Sequence, residues 1–256
     1  MTSSLVCEVV KNISANEEFF ILQFIWKDTA PKAGQFFMLK PLRASTFLPR
    51  PFGVFDYNHE QKIIKFLICK RGAGTIELSQ LSAGEKVQLT GPAGNIWADF
   101  LPENGKAALI GGSAGIAPMS ALVAEKPDYY FHVYAGFRQG FHGKEEENLI
   151  LGSAAKAKKV IISAEDGRNA ISGKITDYIF EPEKYNVIFA CGPTPMLKAV
   201  KKICKARDVK CYVSTESRFA CGIGACLGCT INTVNGIRRC CKDGPIFPSE
   251  EVIFDA

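Results

Sequence analysis

The chain has 256 residues, 47% hydrophobic and 22% charged, with 31 basic against 26 acidic side chains and a formal net charge of +5. At about 100–200 residues per domain this predicts roughly two domains with cores of their own and excludes disorder, collagen-like sequence and repeat arrays. So modest a charge argues against nucleic-acid binding, and Lys156, Lys158, Lys159 and the stretch from Lys198 to Lys210 read as solvated helix faces.

The opening MTSSLVCEVVKN has no basic region followed by an apolar stretch and a small-residue cleavage site, and no run of about 18 apolar residues follows. A cytoplasmic protein without a membrane span is expected. Ten cysteines in such a chain read as free thiols available for metal or chemistry, and five of them crowd between Cys221 and Ala256.

From Leu5 to about Trp97 the chain runs as short β-type segments, LVCEVV, FFILQFIW, GQFFMLK, IIKFLICK and EKVQLTG, broken by turn residues such as Pro31, Gly34, Asn58 and Gly84. Many short aromatic and β-branched strands predict an antiparallel barrel or sandwich. Within it, FLPRPFGVFD places Arg50 between two prolines, a stiff extended stretch that fixes where a permanent positive charge points. LICKRGAGTIELS then offers Gly72, Gly74 and Thr75 ahead of an apparent helix. Arginine and a glycine loop suit phosphate recognition; an exposed salt bridge and a plain turn are the alternative.

After the turn-rich link Gly91 to Gly105 the rhythm becomes strand, glycine loop, helix. KAALI, YYFHVYAGF, KKVIISAED and NVIFACG are compact apolar strands, and PMSALVAEK and PMLKAVKKICKARD are helix-like, which predicts a doubly wound parallel α/β domain. KAALIGGSAGIAPM runs a strand into Gly111, Gly112 and Gly115 with Pro118 near a helix start. The G-x-G-x-x-G fingerprint is absent, because Ser113 stands where its second glycine would be, so this loop alone reads equally as nucleotide cradle or packing turn. NVIFACGPTPML repeats the arrangement at Cys191, Gly192 and Pro193, with Thr194 as a plausible N-cap and Pro195 at N1. Two such turns at the carboxyl ends of parallel strands favour one nucleotide crevice, lined by Cys191.

The tail reads ESRFACGIGACLGCTINTVNGIRRCCKDGPIF. Cys221, Cys226 and Cys229 have the C-x4-C-x2-C spacing of plant-type 2Fe–2S proteins, which needs a fourth ligand later in the chain. Gly222, Gly224 and Gly228 would let backbone N–H groups approach the sulfurs. Iron–sulfur is preferred over structural zinc and over unliganded thiols, since only one C-x2-C pair is present. Asn235-Gly236 signals a hairpin that returns the chain toward the early cysteines. With a two-residue turn there, Cys240 would face Ile231 and share the pleat face of Cys229, so ideal register favours Cys240 over Cys241. The tail is too short and too rich in Cys and Gly to build a core unaided.

Elsewhere, His59, His132 and His142 fall in no nucleophile or metal motif and read as structural or exposed. Glu165-Asp166 reads as a solvated polar turn, and Glu216 and Arg218 as an ion pair or a partner contact. Cys7, Cys69, Cys204 and Cys211 read as packing residues.

Taken in order, Arg50-Pro51-Phe52-Gly53, Gly74-Thr75, GGSAGIAPM and CGPTPML resemble the ferredoxin–NADP reductase superfamily, in which a flavin-binding β-barrel precedes a nicotinamide-binding domain. STESRFACGIGACLGC with CKDGP narrows the resemblance to the electron-transfer subunits of class B dihydroorotate dehydrogenases, over essentially the whole chain. It implies an FAD-binding β-barrel at 1–100, an NAD-binding α/β domain at 101–210 and a cluster-binding subdomain at 211–256. Arg50, Pro51, Phe52, Gly53, Leu67, Ile68, Cys69, Gly74 and Thr75 match FAD-contacting segments. Cys221, Cys226, Cys229 and Cys241 match the 2Fe–2S ligands, which overrides the register argument for Cys240. Relatives often carry Ser where Gly53 stands and Gly where Ser113 stands.

The implied activity is an oxidoreductase relay between NAD, FAD and the 2Fe–2S centre. Dihydroorotate oxidation belongs to a separate FMN-containing catalytic subunit, in a heterotetramer with two copies of each. No dihydroorotate site or (β/α)8 alternation is present in the sequence. The other readings are a reductase subunit serving a hydrogenase, a sulfite reductase or a bifurcating transhydrogenase, and a non-catalytic iron–sulfur module that has lost flavin.

Overall fold

The computed structural model describes residues 2–42, 47–179, 181–215 and 217–254. Strands β1 (Ser3–Ser14), β2 (Phe19–Ile25), β3 (Phe36–Pro41), β4 (Arg50–Gly53), β5 (Asp56–Asn58) and β6 (Ile63–Cys69) precede a short helix α1 (Ala73–Ser79) and β7 (Lys86–Ala93). They form one antiparallel sheet in the order β4-β3-β7-β1-β2-β6-β5. β1 pairs its first half with β7 and its second with β2, and slips register between Val9 and Lys11; β3 slips against β7 between Phe36 and Met38. An extra residue on one side of a ladder bends the strand, so the sheet curls until β4 lies against β6. Inside it Trp26, Phe37, Phe66 and Phe24 form a chain of edge-on rings with centroids 4.8, 5.6 and 6.1 Å apart. All four are buried, which explains the density of aromatics in these segments.

The second half supplies β8 (Lys106–Gly112), α2 (Ile116–Glu125), β9 (Tyr130–Phe137), α3 (Lys144–Leu151), β10 (Lys159–Ala164), β11 (Ile171–Ser172), β12 (Val187–Cys191), α4 (Thr194–Ala206) and β13 (Cys211–Ser214). β11, β10, β9, β8, β12 and β13 are parallel in that order. The two helix types differ for a physical reason. In α2 every residue from Ile116 to Val123 is buried, because the helix lies in a core shared by the parallel sheet and barrel residues Phe19, Phe55 and Leu67. In α4 only Leu197, Val200 and Cys204 are buried; Lys202 and Lys205 are exposed, and Lys201, half-buried beside the stripe, donates to Val252 O at 2.7 Å. Thr194 makes no capping bond, and α4 instead begins with Pro193 as its flanking residue.

The tail adds a hairpin, β14 (Thr230–Thr233) and β15 (Gly236–Arg239), then a single turn α5 (Cys240–Asp243) and β16 (Ile246–Pro248). β16 pairs antiparallel with β13 and closes the parallel sheet. Two of the tail's strands, β13 and β16, are thereby built into the α/β sheet, and this is how a segment without a core of its own becomes fixed. Among the described residues no helix is long and apolar enough to cross a membrane.

The hairpin register differs from the ideal one. Thr233 opposes Gly236, so Val234 and Asn235 form the two-residue turn and Gly236 follows as the first residue of the return strand at φ +93°, a left-handed position that suits glycine. Cys240 N–H donates to Cys229 O at 3.0 Å, so Cys240 lies across from Cys229 and not from Ile231.

Asn95, on the link between the halves, ties the tail to the barrel. Its Nδ2 donates to Ile246 O at 2.8 Å, its Oδ1 accepts from Ile246 N at 3.0 Å, and its backbone N–H donates to Gly244 O at 2.8 Å. Asn95→Ala strands the N–H and the carbonyl of a buried residue, for which a loss of about 2 to 3 kcal/mol is expected. Denaturant midpoints of the two proteins measure it, with Asn95→Asp, which can still accept from the Ile246 N–H, losing less.

Candidate functional site at the junction of barrel, sheet and tail

A cleft of about 270 Å³ opens where the three parts meet. The barrel contributes Pro51, Phe52, Gly53, Leu67, Cys69, Arg71 and Thr75; the parallel domain Gly112, Ala114, Gly115, Pro118, Cys191 and Pro193; the tail Ser214, Thr215, Ser217, Phe219 and Pro245. Ten of the expected cofactor residues therefore line one cavity.

The others sit around it in different ways. Arg50 extends from β4 so that its guanidinium lies over Gly74, where an added Cβ would fall 2.1 Å from Nε, and it donates to Leu48 O. The stiff Arg-Pro stretch thus aims the charge at the loop that opens α1. In that loop Thr75 Oγ1 accepts from the backbone N–H groups of Arg71 (2.8 Å) and Gly72 (3.1 Å). Ile68 is fully buried in the barrel core, so its side chain does not reach the cleft. Gly111 packs on Ile116, and Gly192 on Met196 and the Gly112 backbone. These two glycines let the loops touch; they do not line the space.

Contact between the two loops is closest at Gly115, where a Cβ would stand 2.1 Å from Cys191 O and 2.8 Å from Gly192 N. Both obstacles are backbone and cannot swing aside. Gly53 has room, its nearest neighbour being Pro118 Cδ at 3.6 Å from an added Cβ, so a serine hydroxyl would fit there. Sequence reading missed Ser214, Thr215, Ser217, Phe219 and Pro245, because their place in the cleft depends on the tail folding back, and Arg71, because a basic residue in a turn is ordinarily solvated.

The cysteines stand beside this cleft as two pairs. Cys229 and Cys241 are buried, with their sulfurs 3.2 Å apart, and Cys241 N–H donates to Cys229 Sγ at 3.4 Å. Cys226 is exposed and donates from its backbone N–H to Cys221 Sγ at 3.4 Å, where Ile223 N–H also points at 3.5 Å. Gly228 N–H reaches Cys226 Sγ at 3.4 Å. Gly222 and Gly224 take φ +71° and +83°, and Gly222 lies so close to Met38 that a Cβ would be 2.5 Å from Met38 Cγ. Burial works against the Cys221 thiolate, but N–H donors from Ile223, Cys226 and Ala225 outweigh it and bring the thiol down to about 6. Burial, together with the Cys229 neighbour, pushes Cys241 up to about 12.

Cys240 is turned away. Its Sγ lies 3.2 Å from Thr215 Oγ1 in the buried core, and burial raises it to about 11. Among the described residues no three ligand-type side chains gather round one point as a single tetrahedral ion requires. Two thiol pairs inside a glycine loop with N–H groups aimed at sulfur are the donor set of a binuclear iron–sulfur centre. The residues present fit that group.

Comparison with known proteins agrees with this arrangement. Residues 216–253 match the iron–sulfur cluster binding domain of dihydroorotate dehydrogenase B. The chain is 33% identical over 259 residues to the dihydroorotate dehydrogenase B (NAD(+)) electron transfer subunit of Caldanaerobacter subterraneus subsp. tengcongensis, covering 99% of this chain and 100% of that one. It is 36% identical over 248 residues to the Clostridium acetobutylicum protein of the same name, covering 97% and 96%. The chain belongs to this family of electron transfer subunits. Among solved structures, an NADH-dependent reduced ferredoxin–NADP oxidoreductase superposes with a TM-score of 0.81 at 23% identity, over 99% of this chain and 91% of that one. A ferredoxin NADP+ reductase from Neisseria gonorrhoeae with bound FAD and NADP superposes at 0.65 and 15% identity, over 79% and 91%. Both likenesses show the fold of this chain.

The remaining sequence candidates are structural. His132 Nδ1 and Tyr134 OH each lie 2.8 Å from Tyr185 OH, and burial, then Lys159 and Lys106, hold His132 below its usual range. His142 Nε2 meets Arg168 Nη1 at 3.0 Å. Asp166 accepts from the backbone N–H of Gly140 (2.8 Å) and Arg168 (3.1 Å), a loop brace. Glu216 lies outside the described residues.

Gly115→Ala is expected to force the two nucleotide-side loops apart and cost about 1 to 3 kcal/mol, with Gly53→Ala close to neutral. Parallel urea titrations of the two variants measure the contrast.

Proposed function

We propose that the three-sided cleft holds FAD and admits NAD(H), and that Cys221, Cys226, Cys229 and Cys241 hold the 2Fe–2S cluster beside it. As a family member the chain is an oxidoreductase subunit that carries electrons between a catalytic dihydroorotate dehydrogenase partner and NAD+ through 2Fe–2S and FAD. Its place is in pyrimidine biosynthesis. When bound, FAD supplies the exchange between two-electron hydride transfer and single-electron transfer.

The chain's own residues do the placing. Arg50, held over Gly74, puts a fixed positive charge at the opening of α1 and serves the flavin diphosphate. Gly74 and Thr75 keep the backbone there free to approach it. Pro51, Phe52, Gly53, Leu67 and Cys69 form one wall, with Ile68 contributing backbone only. Gly112, Gly115, Cys191 and Pro193 form the facing wall for the nicotinamide nucleotide, and Gly111 and Gly192 set the spacing of its loops. Phe36 and Phe219, with ring centroids 5.1 Å apart, line the cleft and pack in the same cluster as Cys229 and Cys241.

The segments 1–100, 101–210 and 211–256 act as flavin, nicotinamide and cluster modules, with β13 and β16 of the last anchored in the second. The partner carries FMN, and two copies of each chain form a heterotetramer. Ten cysteines without a disulfide among them support a cytoplasmic location.

One observation carries the reading: the flavin-type wall and the nucleotide-type loops border a single cavity, and Phe36 and Phe219, which line it, pack in the same buried cluster as Cys229 and Cys241. Anaerobically purified chain is expected to show flavin absorption, sulfide-to-iron charge transfer and a paramagnetic signal on reduction. It should reduce an artificial acceptor with NADH and leave dihydroorotate untouched until the partner is added. A preparation that lacks either chromophore would falsify the assignment. Cys241→Ser should lose the cluster and Cys240→Ser keep it, read as iron content and visible absorption; the reverse pattern would restore Cys240 as the fourth ligand.

A further inference from the structure

Ser113 occupies a conformation that L side chains rarely adopt, φ +53°, in the first loop of the parallel domain. Its hydroxyl is held from the other side of the cleft: Arg71 Nη2 donates to Ser113 Oγ at 3.3 Å. Arg71 lines the cleft, and its backbone N–H is fixed by Thr75 Oγ1, so the side chain leaves the barrel from an anchored point. Among the described residues no carboxylate pairs with its guanidinium. A strained serine and an uncompensated arginine from two domains therefore meet at the mouth of one cavity.

A backbone outlier persists when its surroundings hold it; here the Ser113 carbonyl accepts from the Ile116 N–H within the loop's own turn, while its hydroxyl is left to meet the Arg71 guanidinium from the barrel side. The flavin-side loop already has its guanidinium, because Arg50 lies over Gly74. The charge of Arg71 is left for an anion that enters along Ser113.

We propose that Arg71, pre-positioned by Ser113, grips the diphosphate bridge of the incoming dinucleotide co-substrate and is a positioning residue for NAD(H). The proposal rests on the reading of the cleft as the FAD and NAD(H) site. Arginine supplies a planar fork that suits two phosphate oxygens, and Ser113 spares it part of the ordering cost on binding. Glycine at position 113 would relieve the backbone but leave the guanidinium without its rest position.

The test uses the full chain with its flavin and cluster in place, titrated calorimetrically with ADP-ribose and assayed with NADH and an artificial acceptor. Arg71→Ala is expected to weaken ADP-ribose binding and raise the KM for NADH by about tenfold, the loss of one charge-assisted contact. The change should fall in KM and not in kcat, with flavin and iron content as in the parent chain. Arg71→Lys should recover part of the loss, and Ser113→Gly should weaken binding by less than Arg71→Ala does. Unchanged ADP-ribose binding in Arg71→Ala would overturn the proposal, and so would release of FAD, which would place Arg71 on the flavin. Parent chain that retains flavin and cluster yet binds neither ADP-ribose nor NADH would overturn the cleft reading itself, and the proposal with it.

Discussion

The seating of the C-terminal segment on Asn95 is the constraint on which the site depends. The barrel buries a core of its own and shares a second with the parallel sheet through α2, while a third joins the other face of the sheet to Phe36 and Met38 of the barrel and to the tail. The cysteine segment has too little apolar side chain to do the same. It is held because β16 adds to the edge of the parallel sheet while Asn95 pairs with both backbone groups of Ile246 from the barrel side. A strand that belongs to two neighbours at once brings Thr215, Ser217, Phe219 and Pro245 to the cleft. Without that double attachment the cleft loses its third wall.

The same geometry orders the cysteines. α5 follows directly after β15, and its single turn rotates Cys240 toward Thr215 in the core and Cys241 toward Cys229. Arg239 reinforces the turn, pairing with Asp243 at 3.1 Å and donating to Gly224 O at 3.3 Å, so that the hairpin, the turn and the early loop form one unit. A strand-register argument could not find this, because register ends where the helical turn begins. The hairpin itself also departed from the simple rule: Asn235-Gly236 marks the right place, but the two turn residues are Val234 and Asn235, and the glycine opens the return strand.

Much else was legible because it rests on local chemistry. Aromatic β-type runs broken by turn residues specify a curled antiparallel sheet, and apolar strands alternating with glycine loops specify a parallel one. The C-x4-C-x2-C spacing names its own ligand chemistry. Single residues were harder to read where two domains approach. Gly111 and Gly192 have the composition of a phosphate cradle, yet they serve loop-to-loop packing, a role visible only once Ile116 and Met196 are in place. Arg71 gave no signal in sequence, since a basic residue in a turn is ordinarily solvated; its meaning comes from Ser113, which lies 42 positions away.

The two thiol pairs differ in environment, and that difference is built by the backbone. Cys229 and Cys241 are buried in the cluster that also takes Phe36 and Phe219, while Cys226 is exposed and Cys221 is served by N–H donors from a loop whose Ile223 and Leu227 are 56% and 59% exposed. A binuclear centre held by the four thiols proposed as its ligands would have two buried ligands, Cys229 and Cys241, and an exposed one, Cys226. The buried end is the one nearer Phe36 and Phe219, which join the barrel to the tail at the cleft. An electron carrier needs such polarity to have an entrance and an exit, and here it follows from a glycine-rich loop on one side and a single helical turn on the other.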